Sequence, residues 1–187
     1  MIKLALFGAG RIGKIHGHNV ALNPQAELVA LHDPYQVNAD HLSAALGCQQ
    51  MTPEQIFSDP SITGILVCSA TDTHADLIEQ AVLTSKHVFC EKPIDLSLAR
   101  VQQVVAKVNA SPITSMLAFN RRFDSNFALL QQRIAAGDIG DVELVSIISK
   151  DPSPPPVDYI KVSGGLFRDM TIHDFDMARF LLAEEVV

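Results

Sequence analysis

The chain has 187 residues, of which 48% are hydrophobic, and 21 acidic against 14 basic residues give a formal net charge of −7. This length is enough for one sizeable core, or for one large domain and part of a second. The basic residues form no cluster longer than the pair Arg121-Arg122. Because nucleic-acid binding depends on clustered positive charge, the composition argues against a nucleic-acid partner.

The apolar start of the chain, Ile2 to Phe7, is far shorter than the about 18 residues that a membrane span needs. It also lacks the cleavage pattern of a secretory signal, so we expect no membrane association. The three cysteines, Cys48, Cys68 and Cys90, show no CxxC spacing, and two of them lie in apolar runs. Cysteine in such runs behaves as a small hydrophobe, which predicts a reducing, cytoplasmic location.

Short apolar runs alternate with longer helical patterns from residue 2 to about residue 119. The predicted strands are Ile2 to Phe7, Leu28 to His32, Gly64 to Cys68, His87 to Cys90 and Ile113 to Phe119. The predicted helices are Arg11 to Leu22, Gln36 to Leu46, Thr73 to Leu83 and Ser97 to Ala110. This alternation predicts an α/β fold with a doubly wound parallel (Rossmann) sheet, covered by helices on both faces.

The pattern changes after Asn120. A predicted helix, Ser125 to Ala136, leads to a predicted strand, Val142 to Ser149. The proline-rich segment from Asp151 to Pro156 is expected to be a loop, because proline fixes φ and lacks the amide donor. A last helical segment is expected from Gly164-Gly165 to about Leu182.

A glycine motif, Gly8-x-Gly10-x-x-Gly13, lies between the first predicted strand and the first predicted helix, and Asp33 follows twenty positions after Gly13. This context is typical of dinucleotide binding: the glycines permit a tight turn, close approach of a pyrophosphate, and close helix packing. Asp33 would bind the ribose hydroxyls and repel a 2′-phosphate, which favours NAD over NADP. The alternative is a glycine turn in an α/β protein that binds no nucleotide.

Two further segments follow predicted strands. Lys92, in the Glu91-Lys92-Pro93 sequence, would point into the same crevice as the glycine motif, where a cation can polarise a substrate hydroxyl. The alternative is a solvated loop lysine. The segment Ser69 to His74 would lie at the same edge, although Thr73 could instead only cap a helix.

Asp169, His173 and Asp176 are spaced to share one face of the last predicted helix. A buried polar stripe is costly unless it is paired or used. It could hold His173 as a proton acceptor positioned by Asp169, or it could be part of a metal site, although no second cluster supplies further ligands. A hydrogen-bonded core histidine is the third alternative.

Four motifs together resemble the glucose-fructose oxidoreductase, inositol dehydrogenase and rhizopine-catabolism family, and within it the inositol 2-dehydrogenase branch. They are GAGRIG after the first strand, EKP, FNRRFD, and GGxxxDxxxHDFDxxRF. The resemblance implies an NAD-dependent oxidoreductase that converts a ring hydroxyl of a polyol, myo-inositol above all, to a ketone by hydride transfer to NAD. A related sugar dehydrogenase and a non-catalytic NAD-binding sensor or regulator remain as alternatives.

The resemblance also implies site residues. His173 would be the general base, Lys92 would stabilise the developing alkoxide, and Asp169 would orient the imidazole or relay the proton. The implied substrate contacts are Lys92, Arg121, Arg122, Asp151 and Thr171. The implied cofactor contacts are Gly8, Gly10, Arg11, Ile12, Gly13, Asp33, Ser69, Ala70, Thr71, His74 and Glu91. No metal is expected, and the Lys92-Pro93 bond is expected to be cis.

The resemblance implies an NAD-binding domain over residues 1–119 and a partial substrate domain over residues 120–187, because family members carry a larger antiparallel sheet in their second domain. A C-terminally truncated chain is therefore expected, whether a deliberately shortened form, a disrupted gene product or one half of a split protein. A lone strand Val142 to Ser149 would leave edges unpaired. The full-length family form is expected to be a homo-oligomer, a tetramer or a dimer.

Overall fold

The computed structural model describes residues 1–151, 153–155 and 157–185. Pro152 and Pro156, two prolines of the expected loop, lie outside the described residues. The chain divides into two compact units, Met1–Ala118 and Phe119–Val187. Within the described residues, no helix combines the length and the apolar composition that crossing a membrane requires.

The first unit is built on a sheet of six strands in the order β3-β2-β1-β4-β5-β6, and every neighbouring pair is parallel. The strands are β1 Ile2–Phe7, β2 Ala26–His32, β3 Gln49–Gln50, β4 Gly64–Val67, β5 His87–Cys90 and β6 Ser115–Leu117. The chain winds outward from β1 in one direction through β2 and β3, and in the other through β4 to β6. This order confirms the predicted doubly wound α/β fold.

Five helices accompany this sheet: α1 Arg11–Leu22, α2 Gln36–Leu46, α3 Pro53–Ser58, α4 Thr71–Leu83 and α5 Leu98–Asn109. The bounds of α1 and α2 were predicted correctly from the sequence. The short elements β3 and α3 were missed, because two and six residues are too few to show a period. A local signal for α3 exists, since Thr52 and Gln55 form a capping box ahead of it.

Two apolar clusters cover the two faces of the sheet, and successive residues of β1 alternate between them. Phe7 packs with Ile65 and Ile78 in one cluster, whereas Leu6 packs with Leu31 in the other. Alternation along a strand sends neighbouring side chains to opposite faces. Both faces are therefore buried, which is why the strands are apolar throughout rather than at every second position.

The regular elements among the described residues of the second unit are all helices. A 3₁₀ turn, Asn120–Phe123, precedes α6 Ser125–Ala135, and three further helices follow: α7 Val157–Ile160, α8 Leu166–Asp169 and α9 Thr171–Leu182. The predicted strand Val142 to Ser149 is wrong, because these residues adopt no regular structure. A strand needs the amides and carbonyls of a neighbour, and no described segment of this unit supplies one.

The prediction of one continuous last helix is also wrong. The helical path is interrupted at Met170, whose φ and ψ of −104° and −56° end α8 just before α9 begins. Asp169 therefore ends the short helix α8, whereas His173 and Asp176 belong to α9. The three residues do not share the single regular helix face that their spacing predicted.

Candidate functional site

The predicted cofactor residues lie at one edge of the sheet. Because β1, β2, β4 and β5 are parallel, their carboxyl ends at Phe7, His32, Val67 and Cys90 meet at the same edge. The strand order switches direction between β1 and β4, and ligands of open α/β sheets bind outside the strand ends at such a switch point. The residues that follow these four strands are Gly8 to Gly13, Asp33, Ser69 to Thr71, and Glu91 with Lys92.

The glycine motif has the geometry of a dinucleotide-binding turn. Gly8 has a φ of +96°, and a Cβ there would lie 2.5 Å from the carbonyl oxygen of Cys68. A Cβ on Gly13 would lie 1.9 Å from the carbonyl oxygen of Gly8, whereas one on Gly10 would meet nothing within 4 Å. Gly8 and Gly13 are thus required by the turn itself. Gly10, at the start of α1, leaves open space into which a pyrophosphate fits.

Asp33 is connected directly to this turn. The main-chain N–H of Ala9 donates to Asp33 Oδ2 at 2.6 Å, and the N–H of Tyr35 donates to Oδ1 at 2.8 Å. Each carboxylate oxygen has a second lone pair, so Asp33 can still accept a ribose hydroxyl. The open glycine turn can bind a pyrophosphate, and the carboxylate held beside it can bind a ribose. Together they fit a dinucleotide.

A cavity of about 240 Å³ opens beside Asp33, and its walls come from the ends of β2 and β3 and from α2 and α3. Its lining residues are Leu31, His32, Asp33, Gln36, Ala39, Gln50, Met51, Thr52 and Gln55. Gln36 and Gln50 both donate to Asp40 and thereby hold the pKa of its carboxyl below the usual value. Glutamine side chains therefore form a fixed polar wall next to Asp33.

The segment after β4 is ordered by its own hydroxyls. The Ser69 and Thr73 hydroxyls lie 2.6 Å apart, and Thr73 donates to the carbonyl oxygen of Ala70 at 2.7 Å. Helix α4 begins at Thr71 with Ala70 as its N-cap, so Thr73 lies inside the first turn. The alternative that Thr73 caps the helix is therefore wrong, because its hydroxyl binds a carbonyl rather than a free amide.

His74, predicted as a cofactor contact, is only 2% exposed. Its Nδ1 lies 2.8 Å from the carbonyl oxygen of Pro93, and its Nε2 lies 3.1 Å from that of Ser69. The structure therefore places the ring between two loops at the carboxyl edge, with both nitrogens facing protein carbonyls.

Lys92 is half-buried directly after β5, and the Lys92-Pro93 bond is cis as expected. The preceding residue, Glu91, has its Oε1 atom 2.7 Å from Nε2 of His16 in α1. The His16 ring also meets the Phe89 ring edge-on, with centroids 4.8 Å apart. His16 was not among the predicted site residues. The sequence signal that could have found it is its position three residues after Gly13, in the helix that follows the glycine turn.

The cysteines near this edge are not suited to thiolate chemistry. Burial raises the pKa of the Cys68 thiol to about 12, with a smaller contribution from the charge of Glu91. Cys90 is buried in the sheet, and burial likewise raises the pKa of its thiol. Both thiols are therefore protonated near neutral pH and act as core residues.

The other two predicted catalytic residues belong to the second unit. His173 is half-buried in α9, and its ring packs at right angles to Phe119 with centroids 6.3 Å apart. Asp169 accepts a hydrogen bond from the Tyr159 hydroxyl at 2.8 Å. Tyr159 is a contact of Asp169 that the sequence did not reveal.

Both predicted substrate arginines are held by carboxylates of α9. Arg122 donates through Nε and Nη2 to the two oxygens of Asp176 at 2.8 and 2.6 Å, and Asp176 is only 3% exposed. Arg121 donates to Asp174 at 2.5 Å and to the Ser149 hydroxyl at 2.9 Å. The buried member of the polar stripe is therefore used in an ion pair that joins the 3₁₀ turn to α9.

Both oxygens of Asp176 accept hydrogen bonds from Arg122. Over the described ranges, no group of three or more His, Cys, Asp or Glu side chains is arranged to hold a metal ion. The remaining predicted substrate contacts are Asp151, which is exposed, and Thr171, which is half-buried at the start of α9.

Comparison with known proteins identifies the family. Residues 2–119 match the group described as "Oxidoreductase family, NAD-binding Rossmann fold", and residues 127–187 match the "GFO/IDH/MocA C-terminal domain". The chain belongs to this oxidoreductase family. The match confirms the resemblance inferred from the motifs, and its description confirms the prediction of an NAD-binding Rossmann domain.

Individual relatives have related names. The chain is 50% identical over 186 residues to an inositol 2-dehydrogenase of Rhizobium meliloti, and 42% identical over 187 residues to a myo-inositol 2-dehydrogenase of Thermotoga maritima. These alignments cover 100% and 99% of this chain but 56% of each relative. The chain therefore spans little more than half the length of the curated relatives it matches.

Solved structures show the same fold. A myo-inositol dehydrogenase from Corynebacterium glutamicum matches with a TM-score of 0.91 at 48% identity, covering 97% of this chain and 55% of that one. A scyllo-inositol dehydrogenase from Lactobacillus casei, solved with NAD(H) and scyllo-inositol, matches with a TM-score of 0.87 at 32% identity. That match covers 99% of this chain and 57% of the other.

Proposed function

We propose that the protein represented by this chain is an NAD-dependent dehydrogenase that oxidises a ring hydroxyl of a polyol, with myo-inositol as the first candidate, to the ketone. The observation that carries the proposal is the position of Lys92, which lies at the same sheet edge as the glycine turn and Asp33. Relatives at 50% and 42% identity carry inositol dehydrogenase names, which supports this substrate class.

The proposed roles follow from residue chemistry. NAD, when bound, accepts a hydride from the carbon that carries the hydroxyl. His173 takes the hydroxyl proton on an imidazole nitrogen as general base. The ammonium of Lys92 stabilises the charge that develops on the substrate oxygen, and Asp169 orients the imidazole. The carbon thus loses a hydride and the oxygen a proton, which leaves a ketone.

Binding of the cofactor and substrate is divided among further residues. We assign the pyrophosphate to the turn of Gly8, Gly10, Arg11, Ile12 and Gly13, and the ribose hydroxyls to Asp33. The segment Ser69 to Thr71 and Glu91 border the nicotinamide side, with His74 acting through the loop it holds. Arg121, Arg122, Asp151 and Thr171 are proposed substrate contacts. In Arg122 the atom proposed to contact the substrate is Nη1, since Nε and Nη2 bind Asp176.

The same proposal assigns residues 1–119 to the NAD-binding domain and residues 120–187 to part of the substrate domain. It also assigns a cytoplasmic location, which the three cysteine thiols support. The full-length form is proposed to be a homo-oligomer with no nucleic-acid partner.

The first test is calorimetric titration of the purified chain with NAD and NADP, with light scattering on the same sample. We expect selective binding of NAD, followed by formation of NADH on addition of myo-inositol to a form that contains the complete second domain. Lys92→Met should retain NAD binding and lose turnover, whereas Lys3→Met, an exposed lysine at the opposite end of the parallel strands, should retain both.

The outcomes separate the alternatives. NAD binding with no polyol-dependent NADH formation would favour the sensor or regulator, and turnover of a sugar in place of inositol would favour the related sugar dehydrogenase. Equal binding of NAD and NADP would remove Asp33 from its proposed place.

A further inference from the structure

The residues on both sides of Lys92 are each held by a histidine from a different helix. His16 of α1 binds the side chain of Glu91, and His74 of α4 faces the carbonyl oxygen of Pro93 at 2.8 Å. Lys92 lies between these two attachment points. Neither contact is local, because the partners are 75 and 19 positions apart in the sequence.

The contact between His16 and Glu91 is largely buried and has hydrogen-bond geometry. Nε2 of His16 lies 2.7 Å from Glu91 Oε1, and the two side chains are 20% and 17% exposed. The Phe89 ring fixes the plane of the imidazole. The main-chain N–H of Glu91 also donates to the carbonyl oxygen of Val67 at 2.9 Å. Glu91 is therefore held to α1 by its side chain and to the end of β4 by its backbone.

The second attachment joins two loops. The His74 ring is buried, with Nδ1 toward Pro93 and Nε2 toward the carbonyl oxygen of Ser69 at 3.1 Å. A neutral imidazole carries one N–H, so it donates to one of these carbonyls, whereas the imidazolium donates to both. A proton on Nδ1 therefore holds the segment after β5 through Pro93, and a proton on Nε2 holds the segment after β4 through Ser69.

We propose that His16 and His74 are positioning residues that fix the main chain on either side of Lys92. The proposal rests on the role assigned to Lys92 under the proposed function. A long, flexible lysine side chain can place its ammonium reproducibly only if its backbone is fixed, and misplacement by about 1 Å can cost about 10²-fold in rate. The two histidines supply that fixation from the helices that follow the glycine turn and the Ser69 segment.

The test for His16 uses local amide exchange in the purified chain. His16→Phe keeps a ring against Phe89 but loses the donor, and His16→Gln keeps a donor. The matched control is His18→Phe, because His18 is exposed on the same helix and bonds only to the carbonyl of Lys14 among the contacts the structure gives it. We expect exchange at Glu91 and Lys92 to accelerate about tenfold in His16→Phe, and to return toward the parent rate in His16→Gln.

His74 is tested by His74→Asn, which retains a side-chain donor, beside His74→Phe, which has none. Exchange at Glu91, whose N–H binds the carbonyl oxygen of Val67, should accelerate more in His74→Phe than in His74→Asn, while exchange within α2 stays at the parent rate. The Nδ1 atom of His74, observed by ¹⁵N NMR in the parent chain, should carry a hydrogen-bonded N–H, because Nδ1 is the nitrogen that faces Pro93. An Nδ1 with no hydrogen-bonded N–H would overturn the assignment of His74 whether or not its variants fold.

A catalytic readout completes the experiment in a form with the complete second domain. His16→Phe should lower kcat about tenfold or more, and His16→Gln should recover part of the loss. Unchanged exchange at Glu91 and Lys92 in His16→Phe would overturn the proposal, as would acceleration spread equally over the first unit. If the parent form has no polyol dehydrogenase activity, the proposed function fails, while the exchange data still decide whether the two histidines fix this segment.

Discussion

Asp33 accepts the main-chain N–H of Ala9 at 2.6 Å, so the carboxylate at the end of β2 directly holds the glycine turn that follows β1. The two parts of the dinucleotide motif are thus joined before any cofactor binds. The carboxylate that would receive the ribose also fixes the orientation of the turn that would receive the pyrophosphate. Replacement of Asp33 should therefore affect both parts of the cofactor site.

We expect Asp33→Ala to weaken NAD binding about tenfold or more and to raise the NADP-to-NAD affinity ratio. A hydrogen bond to a charged group contributes about 1.5–3 kcal/mol, and the repulsion of a 2′-phosphate is lost with the carboxylate. Calorimetric titration with both cofactors measures the two effects.

The matched control for this change is Glu27→Ala. Glu27 lies on the same strand, β2, near the end opposite to Asp33. Glu27→Ala should leave the affinities for NAD and for NADP unchanged. An Asp33→Ala variant with the parent preference for NAD would show that the carboxylate lies outside the ribose site.

Two glycines of the turn should respond oppositely to alanine. Gly10→Ala adds a Cβ with no atom within 4 Å, so the free energy of unfolding should change by no more than about 0.5 kcal/mol. The same methyl occupies the space that the pyrophosphate needs, so NAD binding should be lost. Thermal unfolding and cofactor titration of one sample measure both.

Gly13→Ala places its Cβ 1.9 Å from the carbonyl oxygen of Gly8, so the turn must move and the fold should be destabilised. If Gly10→Ala bound NAD as the parent does, the pyrophosphate would lie elsewhere. If Gly13→Ala kept the parent melting temperature, the contact between α1 and the turn would be looser than the structure shows.

The ion pair between Arg122 and Asp176 should stabilise α9. Arg122→Ala leaves a carboxylate that is 3% exposed without its bidentate partner, which should cost about 3 kcal/mol. It also removes the guanidinium from its place 5.4 Å from the centroid of the Phe180 ring. Native-state amide exchange of α9 reports this loss locally.

Arg133→Ala is the control, because Arg133 is exposed and its bond to Asp138 is a surface pair. Such a pair contributes about 0–1 kcal/mol. Equal effects of the two substitutions on α9 exchange would show that burial of Asp176 does not set the strength of the pair.

Glu79 should contribute stability that is lost in acid. Hydrogen bonds from Arg100 and Lys107 lower the pKa of its carboxyl from 4.5 to about 2. A carboxyl whose pKa is lower in the folded state stabilises the fold above its unfolded pKa, and the contribution disappears as the pH falls from about 4.5 toward 2. Because the partners Arg100 and Lys107 are 27% and 55% exposed, solvent screens the pairs, and we expect about 1 kcal/mol at neutral pH.

Glu79→Gln and the parent chain should therefore differ in unfolding free energy at pH 7 and converge near pH 2. Urea titrations at several pH values give the curve, and the difference at pH 7 should shrink in 1 M salt. A difference that stayed constant with pH would assign the effect to packing rather than charge.

Several features of the fold could be predicted because the signal for each is local. The apolar runs and helical periods located β1, α1, α2 and β5 correctly, and glycine spacing with Asp33 located the cofactor edge. The strand Val142 to Ser149 was wrong because its pattern is apolar but its partner is missing from the described unit. The single last helix was wrong because the interruption at Met170 leaves no sequence signal.

The side-chain partners of the site residues could be identified only from the tertiary structure. Residue types and spacing determined that this chain has a parallel sheet, a dinucleotide turn and a lysine at a strand end. The pairing of His16 with Glu91 and of Arg122 with Asp176 joins residues 75 and 54 positions apart. No local pattern encodes such pairs, because a side chain's partner is set by which helices and strands the folded backbone brings within hydrogen-bonding distance.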